Sequence, residues 1–192
     1  MILATNNKGK LKEIREIFNE YEIYSLNDKG IDIDVVEDED TFYGNALKKA
    51  KEIYEITKEE VIADDSGLCI NALNDFPGVL THRFLGEDAT DEDRNIELIK
   101  RVNNIDDRGA KVVCNLVYYD GENTIIGEGI LNGQITYELR GKNGFGFDPI
   151  FELENGKTLA ELSNEEKNKV SARYLAAIDL KEKIKILNKK TL

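Results

Sequence analysis

The stretch AKVVCNLVYYDGENTIIGEGILNGQI, residues 110–135, holds two β-rich runs joined by Asp120-Gly121, a dipeptide that signals a hairpin. Working outward, apolar residues at helical and strand spacing alternate on both sides. On the N-terminal side, MILA reads as a first strand, with Leu11, Ile14, Ile17 and Phe18 following at helical spacing. YEIYSL reads as a second strand, and IDIDVVEDED alternates before turning acidic. Leu47, Ala50, Ile53 and Tyr54 form another helical stripe, and EVIADDSGLCINAL reads as strand, sharp acidic turn, strand. TDEDRNIELIKRVN opens on a capping threonine and early acids, with Ile96, Ile99 and Val102 on one face. On the C-terminal side, Ser163 and Glu166 form a capping box that opens a long helix with Val170, Tyr174, Ala177, Ile184 and Leu187 facing inward. Helices interleaved with strands around a long central hairpin predict an α/β (α+β) chain with a mixed sheet. Neither a repeat, a low-complexity stretch nor a linker breaks residues 1–192, so one domain is expected.

The 192 residues are 41% hydrophobic and 33% charged, enough for a sizeable core. The formal net charge of −12 argues against non-specific nucleic-acid binding, which needs a basic surface. A phosphorylated small molecule remains compatible if a local positive pocket or a divalent cation offsets the repulsion. No apolar run approaches the ~18 residues that cross a bilayer. MILATNNKGK lacks an apolar signal region, so a cytoplasmic location is expected. Cys69 and Cys114 sit in strand-like runs and read as buried free thiols.

Five stretches can carry chemistry. In LATNNKGKLKE a strand ends, small polar residues follow and a helix starts; amides at such a start attract phosphate. Thr5 and Asn7 add donors, Lys8 and Lys10 add charge, yet the same residues also fit a plain capped helix. Ala4 and Leu11 rule out a Walker loop. In IADDSGL, the adjacent Asp64 and Asp65 repel each other unless a cation sits nearby, and Mg²⁺ takes one or two protein carboxylates plus phosphate oxygens. A capped acidic turn is the competing reading. Four acids fill residues 37–40; Glu37 ends an apolar run, and the other three read as a solvated face. In EEKNKVSARYLA, Lys167 and Arg173 fall about 240° apart on a continuous helix, either as two solvated cations or as two arms around one ligand. FGFDPIFEL, residues 145–153, fits a strand end or a flat platform for a flat ligand. His82 is the sole histidine and lies in a loop-like context, and no nucleophile elbow supports a Ser–His–Asp enzyme. A metal-assisted carboxylate mechanism is the option left for an enzyme.

Taken in order, ATNNKGKLKE, EDEDTFYGNALKKA, DDSGL, PGVLTHRFLGEDATD, GFGFDPIF and TLAELSNEEKNKVSAR span about 170 residues. Each is weak alone, but the ordered set closely resembles the inosine triphosphate pyrophosphatase family. The resemblance implies an elongated mixed sheet flanked by helices, in two lobes with the active site in the cleft between. It implies a homodimer, Mg²⁺ dependence, a small-molecule nucleotide as substrate, and cleavage of ITP, dITP or XTP to the monophosphate and pyrophosphate. By position, Thr5, Asn6, Asn7, Lys8, Gly9 and Lys10 would grip the triphosphate; Glu37 and Asp65 would hold the metal. Asp65 would also activate water, and Ser66 would touch phosphate. Phe145, Gly146, Phe147, Asp148, Lys167, Ala172 and Arg173 would surround the base, with Phe145 stacking on the purine, Asp148 accepting from N1–H and Arg173 donating to O6. Guanine carries the same two groups, so GTP must be excluded by something else.

There are two departures. The family has Ser-His-Arg where this chain reads Ser171-Ala172-Arg173, which predicts looser base selection, and Glu where Gly44 stands. A related pyrophosphatase acting on modified pyrimidine or methylated nucleotides, and a nucleotide-binding module without turnover, are the rival readings.

Overall fold

The computed structural model describes residues 1–86 and 88–190; Glu87, inside the fourth quoted motif, and the last two residues lie outside them. The elements are β1 (Ile2–Leu3), α1 (Lys8–Ile17), β2 (Tyr24–Ser25), α2 (Phe42–Thr57), β3 (Val61–Ile70) and β4 (Phe76–Pro77). They continue with α3 (Asp91–Arg101), β5 (Gly109–Tyr119), β6 (Thr124–Ile135), β7 (Phe151–Glu152), α4 (Asn164–Lys167) and α5 (Ala172–Lys190). Hydrogen bonding orders the strands β2-β1-β3-β5-β6-β7, and β4 pairs with β3. The sheet is mixed: β1 runs parallel to β2 and β3, while β3–β4 and β6–β7 are antiparallel.

The chain forms two compact units. One comprises Met1–Ser66, Cys114–Gly129 and the chain from Ala172 onward; the other comprises Gly67–Val113 and Ile130–Ser171. In the first, Ile2, Ala4, Val61, Ala63 and Val117 pack against Ala46, Ala50 and Ile53, which sit at helical spacing along α2. Each large apolar side chain buried this way contributes about 1.5–3 kcal/mol. Helix α5 lies directly on β6. A Cβ at Gly127 would stand 2.2 Å from the Ala176 carbonyl oxygen, and one at Gly129 would stand 1.9 Å from that of Ala172. Glycine on the strand and alanine on the helix make that approach possible.

The second unit is organised around α3. Thr90 caps it through a capping box with Asp93. The face it buries is Arg94, Asn95, Leu98 and Val102, and Ile96 is half exposed. This corrects the expected Ile96–Ile99–Val102 face. Arg94 turns inward because its guanidinium donates to the carbonyls of Phe84 (3.0 Å) and Gly86 (2.8 Å), which satisfies its donors below the surface.

Three further expectations change. Residues 61–70 form one fully buried strand, with no turn at Asp64-Asp65. Residues 31–39 form no strand. The Ser163–Glu166 capping box opens only the single turn α4. The amides of Val170 and Ser171 bond back to the Lys167 carbonyl, so the chain turns before α5 starts, and Lys167 and Arg173 lie on separate helices. The hairpin is as expected: Asp120 Oδ1 accepts the amides of Glu122 and Asn123 (2.9 and 2.6 Å), and Gly121 takes φ +101°.

Candidate active site

Consecutive residues of a strand point to opposite faces, and β3 uses this at Asp64 and Asp65. On one face, Asp64 meets Lys10 Nζ of α1 at 2.8 Å and Arg173 Nε of α5 at 3.4 Å. Arg173 also donates to Glu13 Oε2 of α1 (2.7 Å) and to Ser66 Oγ (3.3 Å), two positions on from Asp64 and thus on its face. Lys10, Arg173, Asp64 and Glu13 therefore form a charge-balanced, largely buried quartet. Although burial opposes ionisation, the cations of Lys10, Arg173 and Lys49 hold the Asp64 carboxyl well below the usual carboxylate range.

On the other face the balance reverses. Asp65 Oδ2 accepts from Asn45 Nδ2 (2.9 Å) and Oδ1 from the Ser66 amide (2.8 Å). Burial, and then the negative charge of Glu37, push the Asp65 carboxyl up to about 6. Lys49 ties this side together: its ammonium donates to Glu37 Oε1 and, at 3.1 Å, to the Asp64 carbonyl. Asn45 and Lys49 stand four residues apart on α2, so one helix face delivers both.

A cavity of about 250 Å³ lies in this unit, lined among others by Thr5, Asn6, Lys10, Glu37 and Lys49. Asn7 caps α1, its side chain accepting from the amides of Gly9 (2.9 Å) and Lys10 (3.2 Å). Thr5 Oγ1 accepts from the Asn7 amide (3.2 Å), and Asn6 Oδ1 from that of Asn27 (3.0 Å). Lys8 is exposed. The Lys49 ammonium sits against the anionic pair Glu37–Asp65. Among the described residues no group of three or more His, Cys, Asp or Glu is placed to hold a metal. Glu37, which lines that cavity, and Asp65, near enough to feel its negative charge, are a carboxylate pair of the kind Mg²⁺ takes, since it keeps most of its shell for water and phosphate oxygens. The donor set fits that ion.

The second unit holds the flat-ligand candidates. Asp148 Oδ2 accepts from Lys167 Nζ (2.6 Å) and from the Phe145 amide (2.9 Å). The Lys167 ammonium stands 4.2 Å from the Phe145 ring centroid, so a cation covers one face of that ring. Phe145 remains 36% exposed, whereas Asp148 and Lys167 are buried. Gly146 adopts φ +61°, where a side chain is strained; its amide donates to Asp91 Oδ2 (2.9 Å) and its carbonyl accepts from Asn95 Nδ2 (2.8 Å). Phe147, half-buried, packs edge-on against Phe151 at 6.4 Å. Ala172 is buried at the start of α5, in the first unit.

Sequence reasoning missed Lys49, Glu13, Asp91 and Asn95. A signal existed for Lys49, in its spacing from Asn45. Nothing marked Glu13 among its charged neighbours. The two cysteines are free and buried, as expected, and burial raises their thiols to about 11 and about 12.

The Ham1 family model matches residues 1–183. A dITP/XTP pyrophosphatase of Caldanaerobacter subterraneus is 43% identical over 190 residues, covering 96% of this chain and 95% of the relative. The solved Ham1 protein of Staphylococcus aureus superposes with a TM-score of 0.89 at 35% identity, over 96% of this chain and 97% of that one. A structure described as a nucleoside-triphosphatase and dITP/XTP pyrophosphatase, from Mycobacterium abscessus, gives 0.76 at 36% identity, over 92% and 97%. With a family model spanning nearly the whole sequence and relatives of this identity at near-full coverage, the chain belongs to the Ham1 family.

Proposed function

We propose that this protein hydrolyses non-standard purine nucleoside triphosphates, ITP, dITP and XTP, to the monophosphate and pyrophosphate, and so clears them from the nucleotide pool. The activity named for its relatives supports the substrate class. The observation that carries the chemistry is the opposite fate of two neighbouring acids. Asp64 is neutralised by Lys10 and Arg173, while Asp65 is raised to about 6 beside Glu37. A carboxylate raised to that range is matched to accept a proton from water near neutral pH.

Water adds at the α-phosphorus, its proton passes to Asp65, and the bond from that phosphorus to the oxygen bridging to the β-phosphorus breaks. Pyrophosphate leaves, and the monophosphate keeps the new oxygen. Lys10 and Lys49 offset phosphate charge. Glu37 and Asp65 would hold Mg²⁺, which when bound would neutralise charge developing on the phosphate oxygens. Phe145 stacks on the base, and such stacking is worth roughly 1–3 kcal/mol. Asp148 accepts from N1–H, a donor that adenine lacks. Arg173, already bound to Glu13, Asp64 and Ser66, holds the carboxylates in place in addition to the base contact inferred from its position.

The same family resemblance extends the reading to a homodimer in the cytoplasm. No helix among the described residues is long and apolar enough to cross a membrane. The test is a panel of triphosphates assayed for pyrophosphate with and without Mg²⁺. ITP and XTP should turn over well ahead of ATP, and only with the metal. Equal turnover of all nucleotides, or preference for a modified pyrimidine, would overturn the reading.

A further inference from the structure

We infer that His82 is a specificity-determining residue for the base, one that separates purines which Asp148 treats alike. This deepens the function proposed above and rests on it. The imidazole Cε1 lies 3.8 Å from the position a Cβ on Gly146 would occupy, so the ring borders the Phe145–Asp148 loop. His82 is itself exposed.

The juxtaposition is built from both sides by one helix. Arg94 of α3 grips the carbonyls of Phe84 and Gly86, just beyond His82. Asp91 and Asn95 of the same helix grip the amide and carbonyl of Gly146. Before His82, Thr81 Oγ1 donates to the Gly78 carbonyl (2.6 Å) and accepts from the Leu68 amide of β3 (2.9 Å). The edge-on pair Phe76–Phe84, at 5.3 Å, seats the far end of the turn. Both loops are thus fixed to common supports, and the imidazole is held beside the aromatic platform.

The polar groups of the platform are largely committed. Both backbone groups of Gly146 bond to α3, and Asp148 Oδ2 is shared between Lys167 and the Phe145 amide. An acceptor at Asp148 meets the same N1–H in hypoxanthine and guanine, so it cannot tell ITP from GTP. The imidazole carries a ring donor and a ring acceptor, chemistry suited to a purine substituent that Asp148 does not reach.

The experiment measures kcat/KM for ITP, XTP and GTP with the full chain, its His82→Ala variant and its His82→Gln variant. For His82→Ala the XTP/ITP ratio should fall about 3- to 10-fold, the discrimination of one net hydrogen bond to the C2 oxygen that xanthine has and hypoxanthine lacks. His82→Gln, which keeps a donor and an acceptor, should recover part of it. A ratio within twofold of the parent in both variants would overturn the inference. So would an equal loss on all three substrates, which marks a purely structural role. A parent protein that releases no pyrophosphate from any of them would instead overturn the function on which the inference rests.

Discussion

Replacing Asp64 with Asn keeps the side chain's size and removes its charge. Asp64 is 2% exposed and holds Lys10 at 2.8 Å and Arg173 at 3.4 Å, with the Arg173 side chain only 9% exposed. In the parent, two cations face two carboxylates; in the variant they face Glu13 alone. Removing one partner from a buried ionic cluster costs about 3–5 kcal/mol, because the remaining charge is left without its counterion. Asn still accepts a hydrogen bond, so the lower end, about 3 kcal/mol, is expected. For a chain of this length each kcal/mol moves Tm by about 2–4 °C, giving a loss of roughly 6–12 °C. The assay is thermal unfolding followed by circular dichroism, run for Asp64→Asn, Lys10→Met and the double variant. Removing Lys10 as well restores neutrality, so the double variant should be at least about 1 kcal/mol more stable than the sum of the single losses predicts. A Tm for Asp64→Asn within about 2 °C of the parent, or strictly additive losses, would refute the claim that the quartet is a coupled unit.

Asp65→Asn removes the proton acceptor and one anionic metal ligand, and should lower kcat for ITP at least ~10²-fold without matching loss of stability. The raised Asp65 contributes stability that is complete below about pH 4 and is lost as pH rises through about 6. Metal-free protein should therefore lose roughly 2–3 kcal/mol from this group between pH 4 and 8, and Mg²⁺ should raise Tm more at pH 8 than at pH 5. Asp64 has the opposite sign: its contribution is present above about pH 4 and fades as the solution becomes more acidic. Gly129→Ala places a Cβ 1.9 Å from a backbone oxygen of α5, so a Tm loss above about 6 °C is expected. At Gly30, φ is +68° with nothing within 4 Å, so Gly30→Ala pays only the left-handed strain of about 1–2 kcal/mol.

The hairpin, the helix starts at Thr90 and Ser163, and the segment around Lys10 were legible because local chemistry decides them: a turn dipeptide, a capping hydroxyl, a run of helical spacing. What escaped the sequence was decided by distant partners. Asp-Asp-Ser-Gly has the composition of a turn, yet it lies inside a fully buried strand because Lys10 and Arg173 meet one acid and Asn45 meets the other. Arg94 faces inward, contrary to its polarity, because two loop carbonyls await it. The break at residues 168–171 carries neither Gly nor Pro to announce it; the amides simply return to Lys167. Glu37 was traced from its place at the end of an apolar run, but its lysine partner became visible only in three dimensions.

The central claim is that water, activated at Asp65, attacks the α-phosphorus. Turnover of ITP with Mg²⁺ in ¹⁸O-labelled water, followed by mass spectrometry of both products, tests it most directly. One labelled oxygen in the inosine monophosphate and none in the pyrophosphate is the predicted result. Label in the pyrophosphate, or release of orthophosphate in its place, would contradict it.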